Sequence, residues 1–174
     1  MKSSEFKMMV MPFSSRIYRL AYRLTGSREE AEDVVQEVYL KLWKMRNELP
    51  NYKSIEALSI RITRNHCLDQ LRRRKTTLEV MQVEGRSREE IRQEEETPDE
   101  QMEKKERSKV LNEMIDHLPE PQRSLIHLRH LEGKDYEEIA EMVNMTENAI
   151  RVNISRARKK LREMLQTQYS SWKI

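Results

Sequence analysis

The stretch "DYEEIAEMVNMTENAIRVNISRARKKL", residues 135–161, decides how the second half of the chain folds. Ile150, Ile154, Ala157 and Leu161 are spaced four, three and four apart, so they share one face of a helix. Arg151, Arg156, Arg158, Lys159 and Lys160 fall mostly off that face. Upstream, Asp135 suits an N-cap, and Tyr136, Ile139, Ala140 and Val143 form a short apolar stripe. Asn144 tolerates the left-handed conformation that ends a helix, and Thr146 can cap the next one. A helix of about eight residues, a short turn and a longer basic helix make a helix-turn-helix pattern. Ala140 is small where two helices must cross closely. The face left for DNA carries Glu147, Asn148, Arg151, Val152, Ser155 and Arg158, with Thr146 at its start. A helical hairpin with a solvated basic face would share the charge. The ordered cap, small residue, turn and basic helix favour DNA binding.

Around this stretch the composition points to an all-α protein. The chain has 174 residues, of which 36% are charged, 6% aromatic and three are glycine, and no β-branched alternation occurs. The single cysteine, Cys67, excludes an internal disulfide and a cysteine-based zinc site. No apolar run approaches the roughly 20 residues of a membrane span, and no signal peptide is expected at the start. A cytoplasmic protein is therefore expected.

The net charge of +3 hides a segregation. Residues 76–103 carry ten acidic and three basic side chains, a net of −7, which leaves +10 on the rest. The pattern predicts two small helical domains, 1–75 and 108–174, joined by a flexible acidic linker, 76–107. The linker has too little apolar surface to form a core of its own. Two readings of its charge stay open: an extended soluble tether, or a segment suited to a positively charged channel.

In the first half, Ile17, Leu20, Ala21 and Leu24 stripe a helix that stops at Gly26. Ser27 and Glu30 stand at the two positions of a capping box for the next helix. Ala31, Val34, Val35, Val38, Leu42 and Met45 line its core side, and Asp33, Gln36 and Glu37 lie off it. A third helix begins at Ile55, with Ile55, Leu58, Ile62, Leu68 and Leu71 on the expected buried side. Arg61, Arg64, Asn65, Asp69 and the run Arg72, Arg73, Arg74, Lys75 form its polar side. Four consecutive basic residues exceed what a helix C-terminus requires, which favours phosphate contact.

Taken in order, "EDVVQEVYLKLW", "LSIRITRNHCLDQLRRRK" and the segment from Leu118 to Glu163 resemble an extracytoplasmic-function (ECF) RNA polymerase sigma factor of the sigma-70 family. The resemblance covers nearly the whole chain. It implies a non-enzymatic transcription initiation factor that binds core RNA polymerase and recognises promoter DNA at −35 and −10 elements. It implies core binding by Asp33, Gln36 and Glu37. It implies −10 recognition by Arg61, Arg64, Asn65, Arg72, Arg73 and Arg74, with Asn51, Tyr52 and Lys53 in a loop that captures a flipped base. It implies −35 recognition by the helix from Glu147. An anti-sigma factor, often membrane-bound in such systems, is an implied partner; no cofactor, metal or small-molecule substrate is. The sequence departs from the family pattern at Leu58, where a tryptophan is common, at Asn144, where glycine is frequent, and at Asn153, where many relatives are basic.

Two other functions compete. A helix-turn-helix regulator would bind DNA alone as a dimer, but the first half resembles no ligand or phosphoacceptor domain and carries its own basic helix. An enzyme would need more than the pair His127 and His130 in "HLRH", which lacks a third ligand at recognised spacing. His66 and Cys67 read as local packing.

Overall fold

The computed structural model describes the backbone of residues 1–80 and 98–171 and the side chains of residues 1–74 and 107–167. Every regular element among the described residues is a helix, with no strand. The acidic positions Glu89, Glu90, Glu94, Glu95 and Glu96, and with them both readings of the linker, lie outside the described residues.

The first domain is built on α1 (Ser3–Val10), α2 (Ser14–Thr25), α3 (Arg28–Lys44) and α4 (Ile55–Val80). Helix α2 ends because Gly26 adopts φ 74°, and its amide donates to the Tyr22 carbonyl at 2.8 Å. Ser27 then caps α3 by accepting from the Glu30 amide at 3.4 Å. Only this half of the expected capping box forms. The Glu30 carboxylate is drawn instead to Arg74, at 2.6 Å, because a charged partner on α4 outcompetes a backbone amide. Ile17, Leu20, Leu24, Val34, Val38, Leu42 and Leu49 are fully buried between α2, α3 and α4. Truncating one of the larger, such as Leu42, costs about 2–5 kcal/mol.

The buried side of α4 agrees with the expected one at Leu58 and differs elsewhere. Ile60, Ser59, Thr63 and Cys67 are buried, while Ile62, Leu68 and Leu71 are only half-buried. The polar residues can face inward because their hydroxyls return to their own helix. Ser59 donates to the Ile55 carbonyl at 2.7 Å, and Thr63 to that of Ser59 at 2.8 Å. Burial pushes the Cys67 thiol up to about 12, so it stays a neutral packing group.

The second domain comprises α5 (Pro98–Asp116), α6 (Gln122–Ile126) running into a π-helical turn (His127–Leu131), α7 (Tyr136–Val143) and α8 (Glu147–Ser171). Leu118, Leu125, Leu128, Ile139, Met142, Ile150, Ile154 and Ala157 form its core. Helices α4 and α5 both run into the stretch expected as linker, covering residues 76–80 and 98–107. The two domains touch: α7 packs on α4, and α6 on α2.

Candidate nucleic-acid interface

The helix-turn-helix is set by short-range chemistry. Asp135 and Glu138 make a complete capping box, with Asp135 Oδ1 accepting from the Glu138 amide at 2.8 Å and Glu138 Oε2 from the Asp135 amide at 3.0 Å. Asn144 takes φ 56°, and its amide donates to the Ala140 carbonyl to close α7. Thr146 Oγ1 accepts from the Ala149 amide at 3.2 Å, starting α8. Ile150, Ile154 and Ala157 are buried, which turns Thr146, Glu147, Asn148, Arg151, Val152, Ser155 and Arg158 to solvent.

The two expected reading arginines on α8 are each held. Arg151 pairs with Glu147 at 3.2 Å, and its guanidinium sits 4.0 Å from the centroid of the Tyr136 ring. Arg158 Nη2 donates to His130 Nε2 at 3.1 Å. Arginine has no acceptor, so the His130 proton sits on Nδ1. Burial, then Arg158 and Arg129, lowers the His130 pKa.

The first domain presents its expected residues differently. Asn51, Tyr52 and Lys53 follow Pro50 through a single 3₁₀ turn, Leu49–Asn51, and are exposed together. Lys53 Nζ reaches across to Glu141 on α7 at 2.5 Å, and this hydrogen bond raises its pKa. Arg64 is 12% exposed and also faces the second domain: it donates to Ser124 Oγ at 3.2 Å and lies 3.5 Å from Glu120. Arg74 is held by Glu30, and Arg72 lies 3.7 Å from Asp69 while remaining 80% exposed. Asn65 and Arg73 are exposed, and Arg61 is half-buried. Leu58, at the position where relatives carry tryptophan, is buried. Asp33, Gln36 and Glu37 share the outer face of α3 with Leu40, a half-exposed apolar side chain that the stripe did not single out.

A third set of residues was not anticipated. Arg16, Arg19 and Arg23 repeat on one side of α2 and dock on the second domain. Arg19 grips Glu132 with two hydrogen bonds, at 2.6 and 2.7 Å. Arg23 reaches Asp116 and Asn112, each at 2.9 Å. Arg16 binds Glu56 at 2.6 Å, and Glu56 in turn holds Lys134 at 2.8 Å. Gly133, at φ 68°, turns the chain so that Glu132 and Lys134 both face the first domain. Burial alone would raise the Glu132 pKa, but Arg19 and His127 beside it hold the carboxyl at about 2. His127 lies 3.4 Å from that carboxylate, and burial pushes its own pKa down. The only sequence signal was the three-and-four spacing of the arginines.

His127 and His130 thus serve different neighbours, Glu132 and Arg158. Among the described residues, no group of three or more His, Cys, Asp or Glu side chains is placed to hold a metal ion. No described helix is long and apolar enough to cross a membrane.

Two sequence profiles match this architecture: Sigma-70 region 2 over residues 9–77, and Sigma-70 region 4 over residues 108–161. The chain belongs to the ECF sigma factors of the sigma-70 family. It is 31% identical over 159 residues to the ECF RNA polymerase sigma factor SigE of Mycolicibacterium smegmatis, covering 90% of this chain and 60% of that relative. It is 27% identical over 158 residues to the ECF sigma factor SigW of Bacillus subtilis, covering 88% of this chain and 84% of the relative. The fold is similar to that of the sigma factor RpoE from Bartonella quintana, solved with the anti-sigma factor NepR. That likeness has a TM-score of 0.76 at 24% identity and covers 93% of this chain and 97% of that one. It is also similar to CnrH, solved with the cytosolic domain of CnrY, with a TM-score of 0.65 at 20% identity and coverage of 95% and 90%. As in any ECF sigma factor, the two domains direct RNA polymerase to promoters.

Proposed function

We propose that this ECF sigma factor reads the −35 element with the outer face of α8 and the −10 element with the 51–53 turn and the basic face of α4. The observation that carries the reading is the pairing of a capped helix-turn-helix with a solvent-facing basic helix. Arg151, Ser155 and Arg158, with Thr146, Glu147 and Asn148 around them, meet the major groove. Tyr52 stacks on a base turned out of the opened strand, with Asn51 and Lys53 beside it to supply hydrogen bonds. Arg61, Arg64, Asn65, Arg72, Arg73 and Arg74 track the phosphates next to it. Asp33, Gln36 and Glu37 bind core polymerase, where carboxylates and an amide suit a basic surface that must release in each cycle. Residues 1–75 and 108–174 act as the two recognition units, with 76–107 spanning between them.

Strand opening in this scheme is driven by binding energy, so no hydrolytic site is required. Lys53 and Arg64 are paired with the second domain, so the reading requires the two domains to part before both elements can be held. An anti-sigma factor is a fitting further partner, because one protein of the same fold was solved with an anti-sigma factor and another with the cytosolic domain of a partner.

The test is to supply core RNA polymerase with the full chain and map the 5′ ends of transcripts from genomic DNA. Start sites that share spaced −35 and −10 sequences support the reading. DNA binding by the chain alone as a dimer, with no change in polymerase start sites, defeats it.

A further inference from the structure

Arg151 is not simply an exposed side chain on α8. Its guanidinium lies 4.0 Å from the centroid of the Tyr136 ring, and that of Arg129 lies 4.7 Å from the same centroid. One ring at the first turn of α7 thus gathers a cation from the recognition helix and another from the π-helical turn. Arg129 is itself pinned, donating to the Lys134 carbonyl at 2.7 Å. Tyr136 is pinned too, since it follows the Asp135 capping box and is half-buried against the core. Arg151 is the most exposed member: its side chain is 56% exposed, and its other restraint is Glu147, one turn back on the same helix. An exposed pair of that kind is weak.

We propose that Tyr136 is a positioning residue for −35 recognition: its ring holds the Arg151 side chain in one direction before DNA arrives. The proposal rests on the reading that Arg151 contacts bases. A long arginine side chain that must be ordered on binding loses rotamer freedom, and a pre-stacked one loses less. A fixed direction also confines its fork of donors to one base pair, so the ring contributes selectivity as well as affinity. Tyr136 need not touch DNA to do this.

The alternative is that Tyr136 only packs α7 onto the core. Two substitutions separate these roles. Tyr136→Leu keeps apolar bulk and removes the ring; Tyr136→Phe keeps the ring and removes the hydroxyl. Holoenzyme made from core polymerase and each full-length variant is used to select from a promoter library randomised at the −35 element. Tyr136→Leu is expected to weaken the preference at the Arg151-dependent position by about 3- to 10-fold, with other positions unchanged. Tyr136→Phe is expected to retain it. In the Arg151→Ala background, Tyr136→Leu should add no further loss at that position. A uniform loss across all −35 positions, an unchanged preference, or a Phe variant as poor as the Leu variant overturns the proposal.

A second measurement keeps it separate from the base-reading assumption. In the free full-length protein, ring currents should shift the Arg151 side-chain proton resonances upfield in the native and Tyr136→Phe proteins, but not in Tyr136→Leu. Unshifted native resonances overturn the stack itself. Shifted resonances together with an Arg151→Ala variant of unchanged −35 preference retain the stack, but overturn its role in recognition, because Arg151 then reads no base for the ring to direct it to.

Discussion

The two surfaces proposed to face DNA are prepared in opposite ways. On α8, each expected reading arginine is held by side chains of its own domain: Arg151 by Tyr136 and Glu147, Arg158 by His130. The face stays open to solvent. On the first domain, Lys53 and Arg64 are engaged by the other domain, through Glu141, Glu120 and Ser124. One surface is organised locally and is ready; on the other, Lys53 and Arg64 are engaged across the interface, while Arg72 and Arg74 lie beside Asp69 and Glu30 of their own domain. The same chemistry, a cation beside an acceptor, orients a side chain in the first case and occupies it in the second.

The sharpest way to break this contrast is to open the interface. Glu132 is 5% exposed at the side chain and receives two hydrogen bonds from Arg19. Glu132→Gln leaves that half-exposed guanidinium without its carboxylate and should destabilise the closed arrangement by about 1–2 kcal/mol. Small-angle scattering should then report a larger radius of gyration; an unchanged radius would show that the apolar packing of α4 with α7 suffices. Acid should act on the same group. The Glu132 carboxyl is held at about 2, below its ordinary 4.5. Its contribution is therefore complete above about pH 4.5 and lost as pH falls toward 2, at a cost of roughly 1–2 kcal/mol after solvent screening.

The ready surface is tested by Arg151→Ala. It should cost about 1–3 kcal/mol at promoters with the preferred −35 base and relax selectivity at that position. Alanines at both Arg72 and Arg73 should weaken every promoter alike and reduce the salt slope by about one for each phosphate no longer neutralised. If Arg151 behaves as these two do, the distinction between base reading and phosphate binding fails.

Smaller effects are expected where the charges are already in water. Asp33→Ala with Glu37→Ala should change thermal stability by under about 1 kcal/mol, because both side chains lie off the buried face of α3. Affinity for core polymerase, measured by fluorescence anisotropy, should fall much further. Early melting with normal core binding would return these residues to a structural role. Least of all, Glu141→Gln should leave the radius of gyration where it was, since the Lys53 partner is 77% exposed. A radius as large as that of Glu132→Gln would contradict the ranking of buried over exposed pairs.

Much of the second domain was legible because its signals are local. A capping box spans four residues, a left-handed Asn144 closes one helix, and the spacing of Ile150, Ile154 and Ala157 orients the next. Each is settled by neighbours a turn away. Helix α4 was harder. Its phase was read from Ile55, Leu58, Ile62, Leu68 and Leu71; Leu58 is buried, but Ser59, Thr63 and Cys67 take the buried side in place of the others. Apolar periodicity misleads where hydroxyls satisfy themselves within the helix, and where one helix packs on more than one neighbour. Glu30 illustrates the same limit, since the residue at a capping-box position went to Arg74 on another helix.

The sequence alone determined that the chain is helical, that its halves are separated by an acidic stretch, and that α8 turns a basic face outward. Those properties follow from periodicity, caps and charge counts, which act over a few residues. Only the tertiary structure decided what Arg16, Arg19 and Arg23 are for, where Glu132 sits, and that Lys53 and Arg64 face the second domain. These pairs join residues far apart in the chain. A charge on a helix surface carries no mark of its partner until folding brings the two within hydrogen-bond distance.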